Sequence, residues 1–120
     1  MKLRIKGNSI RLRLLKSEVD RFAAEGRVTE QTSFGANSLK YTLAVSPDAE
    51  RVYAEFDDGE ICVYVPESQA HAWAIGDEVG FEAEQLIGDG LILSLLVEKD
   101  FVCVGRPDDP DRHDAFTAPV

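Results

Sequence analysis

The residues best placed for binding chemistry are Arg4, Lys6, Arg11 and Arg13, with Asn8 between the two pairs. Permanent cations at alternate positions of a short segment can neutralise phosphates or carboxylates, and an Asn amide can donate to either. Catalytic chemistry is harder to assemble. The chain has two histidines, His71 and His113. No nucleophile–base pair, glycine-rich phosphate loop or HExxH stretch accompanies them. Cys103, Asp108, Asp109, Asp111, His113 and Asp114 collect metal-ligating types near the C-terminus. Their spacing matches no standard zinc or calcium pattern, so no metal and no other cofactor is expected. Glu98-Lys99-Asp100, at a strand end, reads more simply as a solvated or ion-paired exit. The expectation is a non-enzymatic chain without catalytic residues.

The cations need an element to present them. Residues 2–15, KLRIKGNSIRLRLL, alternate apolar and basic residues on both sides of a Gly-Asn-Ser turn. Side chains alternate faces along a strand. A hairpin here would show Leu3, Ile5, Ile10, Leu12 and Leu14 to a core and the cations to solvent. Residues 16–25 read as a helix, with Ser17 as N-cap and Val19, Phe22 and Ala23 inward. Gly26 is a natural helix stop. A weakly alternating strand over 27–34, a turn at 35–37 and a cleanly alternating strand through Leu39, Tyr41, Leu43 and Val45 complete the first half.

After a break at Ser46-Pro47-Asp48 the pattern returns. Residues 51–56 and 61–65 alternate about Asp57-Asp58-Gly59. Pro66 precedes a helix over 68–74, with Ala70, Trp73 and Ala74 inward. Val79, Phe81 and Ala83 alternate with glutamates, and Leu91, Leu93, Leu95 and Val97 follow a Gly-Asp-Gly turn. Matching Ile10 to Ile61, Leu12 to Val63, Phe22 to Trp73 and Val28 to Val79 aligns the halves, and a further one-residue shift aligns Leu39–Val45 with Leu91–Val97. The alternative is two unrelated units that share only their apolar patterning. The fold class is α+β, mostly β: two ββαββ repeats forming a single-chain pseudo-dimer. One domain spans 1–104, with repeats at 1–46 and 51–98. An irregular acidic tail containing proline spans 105–120, and Phe116 is its candidate anchor.

The net charge of −9 is uneven. Residues 1–27 carry eight Lys and Arg against three acidic residues; the rest carry five against 19. Such a field opposes general nucleic-acid binding but leaves one attractive patch. No apolar run reaches the roughly 18 residues of a transmembrane helix, and no signal peptide is apparent. Cys62 and Cys103 lie on apolar runs and form no CxxC pair, which suits buried reduced thiols in a cytoplasmic protein.

The order strand, strand, short helix, strand, strand resembles the swapped-hairpin fold of AbrB- and MazE-type regulators. The second half carries the likeness in Gly59-Glu60-Ile61-Cys62-Val63-Tyr64-Val65-Pro66 and Ile75-Gly76-Asp77-Glu78-Val79. The first half carries it in Gly7-Asn8-Ser9 and Arg11/Arg13, with Leu15 where the proline would stand. The resemblance implies a barrel of exchanged hairpins and DNA binding through the first hairpin. The whole chain also resembles a family of short, uncharacterised bacterial proteins, through residues 5–14 and Val97-Glu98-Lys99-Asp100-Phe101. Against DNA binding, Asp57-Asp58-Gly59-Glu60 stands where the first half has Lys6-Gly7-Asn8-Ser9, and would repel a duplex. The expected function is a small binding or regulatory module. Its basic and acidic hairpins would face each other within the chain, recruit a protein of opposite charge or drive head-to-tail self-association. Nucleic-acid binding through Arg4, Lys6, Asn8, Arg11 and Arg13 is the alternative, a small enzyme of unknown type comes third, and solvated strand faces are the plainest reading of both hairpins.

Overall fold

Alternation of apolar and charged residues sets two hairpins in each half of the chain, with a helix between them. The computed structural model describes residues 1–101 and 114–116. Its elements are β1 (Lys2–Lys6), β2 (Ser9–Leu14), α1 (Lys16–Glu25), β3 (Arg27–Ser33), β4 (Ser38–Ser46), β5 (Tyr53–Asp57), β6 (Glu60–Pro66), α2 (Glu67–Ile75), β7 (Gly80–Gly88) and β8 (Leu91–Lys99). The turn before β2 uses Gly7 at φ 54°, and the turn before β6 uses Asp58 and Gly59 at φ 48° and 76°. Positive φ at these places suits the right-handed twist of a two-residue hairpin, and Asp is among the few residues beside Gly that tolerate it.

The strands form two four-stranded sheets, in the orders β1-β2-β8-β7 and β3-β4-β6-β5. Each sheet takes one hairpin from each half. The hairpins are antiparallel within themselves, and parallel seams, β2 on β8 and β4 on β6, join them. The chain is thus mostly β with two helices.

The register corrects part of the expected correspondence. Leu12 lies opposite Val97, and Val63 lies opposite Leu43. With Leu12 matched to Val63, the counterpart of Leu43 is Val97 rather than Leu95. Val28 pairs with Leu43 and Phe81 with Val97, so Val28 answers to Phe81 rather than Val79. Two features cause the slip. Only Gly26 separates α1 from β3, whereas residues 76–79 separate α2 from β7, and the β7–β8 pairing has an irregularity between Leu86 and Gly88.

The core fills the space between the sheets and beneath the helices. Leu12, Leu14, Val28, Leu43, Val63, Val65 and Val97 meet Val19 and Phe22 of α1 and Ala70 and Trp73 of α2. Trp73 is completely buried. Phe22 and Phe81 meet its ring edge-to-face, with centroids 6.0 and 5.4 Å away, and its Nε1 donates to the Val79 carbonyl at 3.2 Å. That arrangement satisfies the one polar atom of the indole. Gly80 is required where β7 begins, because a Cβ there would lie 2.4 Å from the Val97 carbonyl oxygen.

Helix α1 departs from expectation at its start. Leu15, not Ser17, occupies the N-cap position and offers no side-chain cap. The Glu18 carboxylate accepts from the Leu15 N–H at 2.8 Å. Ser17 lies inside the first turn, and its N–H and hydroxyl donate to the Asp114 carboxylate at 3.0 and 2.5 Å. A carboxylate from the distant tail thus takes the capping place at the positive end of the helix. Two residues further on, the Phe116 N–H donates to the Asp100 carbonyl at 2.7 Å.

Trp73→Ala removes the centre of this packing and is expected to cost about 3–5 kcal/mol. Urea unfolding followed by circular dichroism measures it. Trp73→Phe, which keeps an aromatic ring between Phe22 and Phe81, is expected to cost clearly less.

Candidate functional site

Strand alternation gives each sheet an outer face turned away from the core. On the first sheet that face has three rows across β1, β2, β8 and β7. They read Lys6–Ser9–Ser94–Glu84, Arg4–Arg11–Leu96–Glu82 and Lys2–Arg13–Glu98–Gly80. The middle of the face is a groove of about 740 Å³ whose walls include Arg4, Lys6 and Arg11 on one side and Glu82 and Glu84 on the other. The expected cations are therefore brought together, but an acidic wall faces them.

Arg4 stands opposite Arg11 and Lys2 opposite Arg13, an arrangement of like charges that disfavours pairing. Glu98 offsets it. Arg13 Nε donates to Glu98 Oε1 at 2.6 Å, and Arg11 Nε lies 2.7 Å from the same oxygen as an ion-pair contact without hydrogen-bond alignment. Burial pushes the Glu98 carboxyl upward, but the hydrogen bond from Arg13 and the close approach and charge of both arginines outweigh it and hold the group below its usual range. Arg4 and Lys6 are exposed and have no carboxylate partner among the described residues. Asn8 is engaged within the fold: its Nδ2 donates to the Ile92 carbonyl at 2.6 Å, and its own carbonyl accepts from the Ser94 N–H at 3.0 Å.

The outer face of the second sheet repeats the layout with different residues. Across β5, β6, β4 and β3 its rows are Asp57–Glu60–Lys40–Gln31, Glu55–Cys62–Thr42–Thr29 and Tyr53–Tyr64–Ala44–Arg27. A recess of about 360 Å³ lies among Lys40, Glu55, Asp57, Asp58, Glu60 and Cys62. The Thr42 hydroxyl donates to Glu60 at 2.6 Å and lies 2.9 Å from the Thr29 hydroxyl. Tyr53 and Tyr64 stack at 4.9 Å. Cys62 is a buried free thiol, and burial pushes its pKa up. Hydrogen bonding with Cys62, and then that group's charge, pushes Tyr64 up to about 12. A raised thiol pKa suits an inert structural cysteine rather than a nucleophile.

The basic and acidic hairpins do not face each other within the chain. They belong to different sheets, and the acidic groups beside the basic hairpin come from β7 and β8. Glu82, Glu84 and Glu98 are the site residues that sequence reasoning missed. The alternating glutamates were visible, but their strand partner was not.

Several other charged groups are engaged in the fold. The Met1 ammonium pairs with Glu18 and, at 3.0 Å, with Glu30. Burial raises the Glu30 carboxyl, but the hydrogen bond and charge of that ammonium bring it below its ordinary value. Lys2 meets Asp100 at 2.8 Å. Lys99 is buried, donates to the Gly76 carbonyl at 2.9 Å and lies 5.9 and 5.4 Å from the Trp73 and Phe116 ring centres. His71 is exposed, at the edge of a groove between the two helices. No cluster of three or more His, Cys, Asp or Glu able to hold a metal occurs among the described residues. Of the acidic tail cluster only Asp114 is described; Cys103, Asp108, Asp109, Asp111 and His113 lie outside the described residues.

These shifts give stability a pH dependence at both ends. Glu30 and Glu98, depressed in the fold, stabilise while ionised, and that contribution is lost as pH falls through the acidic range below their unfolded values of about 4.3. Cys62 and Tyr64, raised in the fold, stabilise while protonated. The Cys62 contribution declines once pH exceeds the unfolded thiol value of about 8.5, and the Tyr64 contribution only above the unfolded phenol value of about 10. Thermal unfolding across pH is expected to show both declines, with a shallower acid limb in Glu98→Gln and a shallower alkaline limb in Cys62→Ala.

No curated protein and no solved structure matches the chain. No helix among the described residues is long and apolar enough to cross a membrane. The chain belongs to the family described as "Family of unknown function (DUF7009)", whose model matches residues 1–120.

Proposed function

We propose that this chain is a non-enzymatic binding module, a duplicated swapped-hairpin domain of the AbrB/MazE kind closed within one polypeptide. Its binding surface is the outer face of the first sheet. The exchanged hairpins and the two parallel seams support the architectural part. One observation carries the functional part: Glu82, Glu84 and Glu98 share a face with Arg4, Lys6, Arg11 and Arg13. Such a face is bipolar across its strands. Uniform polyanions meet carboxylates on one side, whereas an extended protein surface carrying both signs is matched on each.

Nucleic-acid binding is the second reading, favoured by the exposed and unneutralised Arg4 and Lys6. Phosphate contacts by cations produce steep salt dependence. Glu98, shared by Arg11 and Arg13, and the carboxylates of Glu82 and Glu84 on the same face offset much of that positive charge.

Fluorescence anisotropy separates the readings. The probes are a mixed-sequence DNA duplex and a set of extended peptides with acidic and basic residues in different orders. The binding-module reading expects peptides of mixed charge to remain bound at about 0.15 M salt, to weaken roughly tenfold in Arg4→Glu, and to outcompete duplex. Tight, salt-steep duplex binding lost in Arg4→Glu would move the assignment to nucleic acid. Binding of neither probe would sink both readings.

A further inference from the structure

We infer that the junction of the start of α1, the end of β8 and the end of α2 is a binding site for a short peptide motif, a carboxylate two residues before an aromatic ring. Asp114-Ala115-Phe116 fills it from within the chain. A protein partner exposing the same motif is the ligand that competes with it. The site is separate from the outer face of the first sheet and does not depend on the reading of that face.

Three groups build the site, each on a different part of the fold. Ser17, exposed in the first turn of α1, offers its N–H and its hydroxyl, and the Asp114 carboxylate accepts both, at 3.0 and 2.5 Å. The first turn of a helix holds N–H groups without partners at the positive end of the dipole, so a carboxylate is the matching ligand. Just past β8, the Asp100 carbonyl accepts the Phe116 N–H at 2.7 Å, and Phe101 and Phe116 form a parallel bridge. The Lys99 ammonium lies 5.4 Å from the centre of the Phe116 ring, and the Phe101 ring flanks it at 6.1 Å. A cation within about 6 Å of a ring attracts it. Charge, main chain and ring are thus each read by a separate group, which is how domains recognise short extended motifs: main-chain bonds hold the peptide and side-chain contacts select it.

The receiving groups are held in place without the segment. Lys99 is only 6% exposed and keeps the Gly76 carbonyl at 2.9 Å and the Trp73 ring at 5.9 Å. The Asp100 N–H donates to the Leu14 carbonyl at 2.9 Å, and its carboxylate meets Lys2 at 2.8 Å. Ser17 belongs to a ten-residue helix that packs Val19 and Phe22 into the core. Asp114, Ala115 and Phe116 themselves are only half-buried. Displacing them leaves a surface already shaped for the next carboxylate and ring, and such preorganisation favours binding. A segment of the same chain acts at an effective concentration on the order of millimolar, so a site of about 0.1 mM affinity is mostly filled from within. The contact is therefore autoinhibitory toward a weak partner and yields to a stronger one.

NMR titration of the isotope-labelled full chain with the peptide Gly-Asp-Ala-Phe-Gly tests this. In the Asp114→Ala/Phe116→Ala chain, whose fold is checked by circular dichroism, the peptide is expected to shift the Ser17 amide and Trp73 indole signals. The wild type is expected to bind it about tenfold more weakly, because its own segment competes. Gly-Asn-Ala-Phe-Gly and Gly-Asp-Ala-Ala-Gly, lacking the charge or the ring, are each expected to bind the double variant at least about tenfold more weakly. Where the alanine pair unfolds the chain, Asp114→Asn/Phe116→Leu keeps the volume and is expected to bind Gly-Asp-Ala-Phe-Gly more tightly than the wild type does. Unmoved Ser17 and Trp73 signals in the folded variant at about 5 mM peptide, equal binding by variant and wild type, or equal binding of the three peptides would overturn the inference.

Discussion

The parallel pairing of β2 with β8 and of β4 with β6 holds the rest of the molecule in place. Leu12 against Val97 and Leu43 against Val63 lie at the centre of these seams, each almost completely buried. Every such contact joins the two halves of the chain. A half of about 50 residues buries too little apolar surface to stand alone, and here neither half even owns a whole sheet. The cost is topological: distant strands must meet before either sheet is complete, which slows folding relative to a chain of local hairpins. The same seams decide which charges share a face, since they bring β8, and β7 with it, beside the basic hairpin.

The helices seal one end of the sandwich through Trp73. Around that ring the structure accommodates a buried ammonium without a carboxylate contact among its described interactions: Lys99 has the Gly76 carbonyl and two aromatic faces. Burying a charge is costly unless it is hydrogen-bonded and its field is answered, and the electron-rich ring faces of Trp73 and Phe116 help to answer it. Phe116 therefore packs with the core, although the sequence places it in an acidic tail. Asp114 ties the same short segment to α1 through Ser17.

Much of this architecture was legible in the sequence, because strict alternation and Gly- or Asp-containing turns leave few options for a short strand. The basic hairpin, α1 with its Gly26 stop, and the strand through Tyr41 and Leu43 all follow from local pattern. What was not legible depends on non-local partners. Matching Val28 to Val79 assumed linkers of equal length, and only the strand register shows that Phe81 holds the equivalent place. Ser17 looked like an N-cap because its type fits, but the group that meets that helix turn comes from Asp114. The candidate site was half visible. The cations at Arg4, Lys6, Arg11 and Arg13 were plain, but the carboxylates that turn their face bipolar lie more than 65 residues away in the chain, and nothing in local pattern assigns them to the same surface.

One small contact has a larger consequence. Gln85 on β7 receives the Ala54 N–H on its side-chain oxygen at 2.7 Å and donates its amide to the Ala54 carbonyl at 3.0 Å. Ala54 lies on β5, the outermost strand of the other sheet. A single side chain thus imitates one rung of a neighbouring strand and occupies backbone groups that would otherwise offer a template for runaway β-pairing. An exposed edge is the route by which β-rich proteins aggregate. At Ala54 this chain occupies that edge with an amide, so the middle of β5 has no free backbone pair to offer another strand.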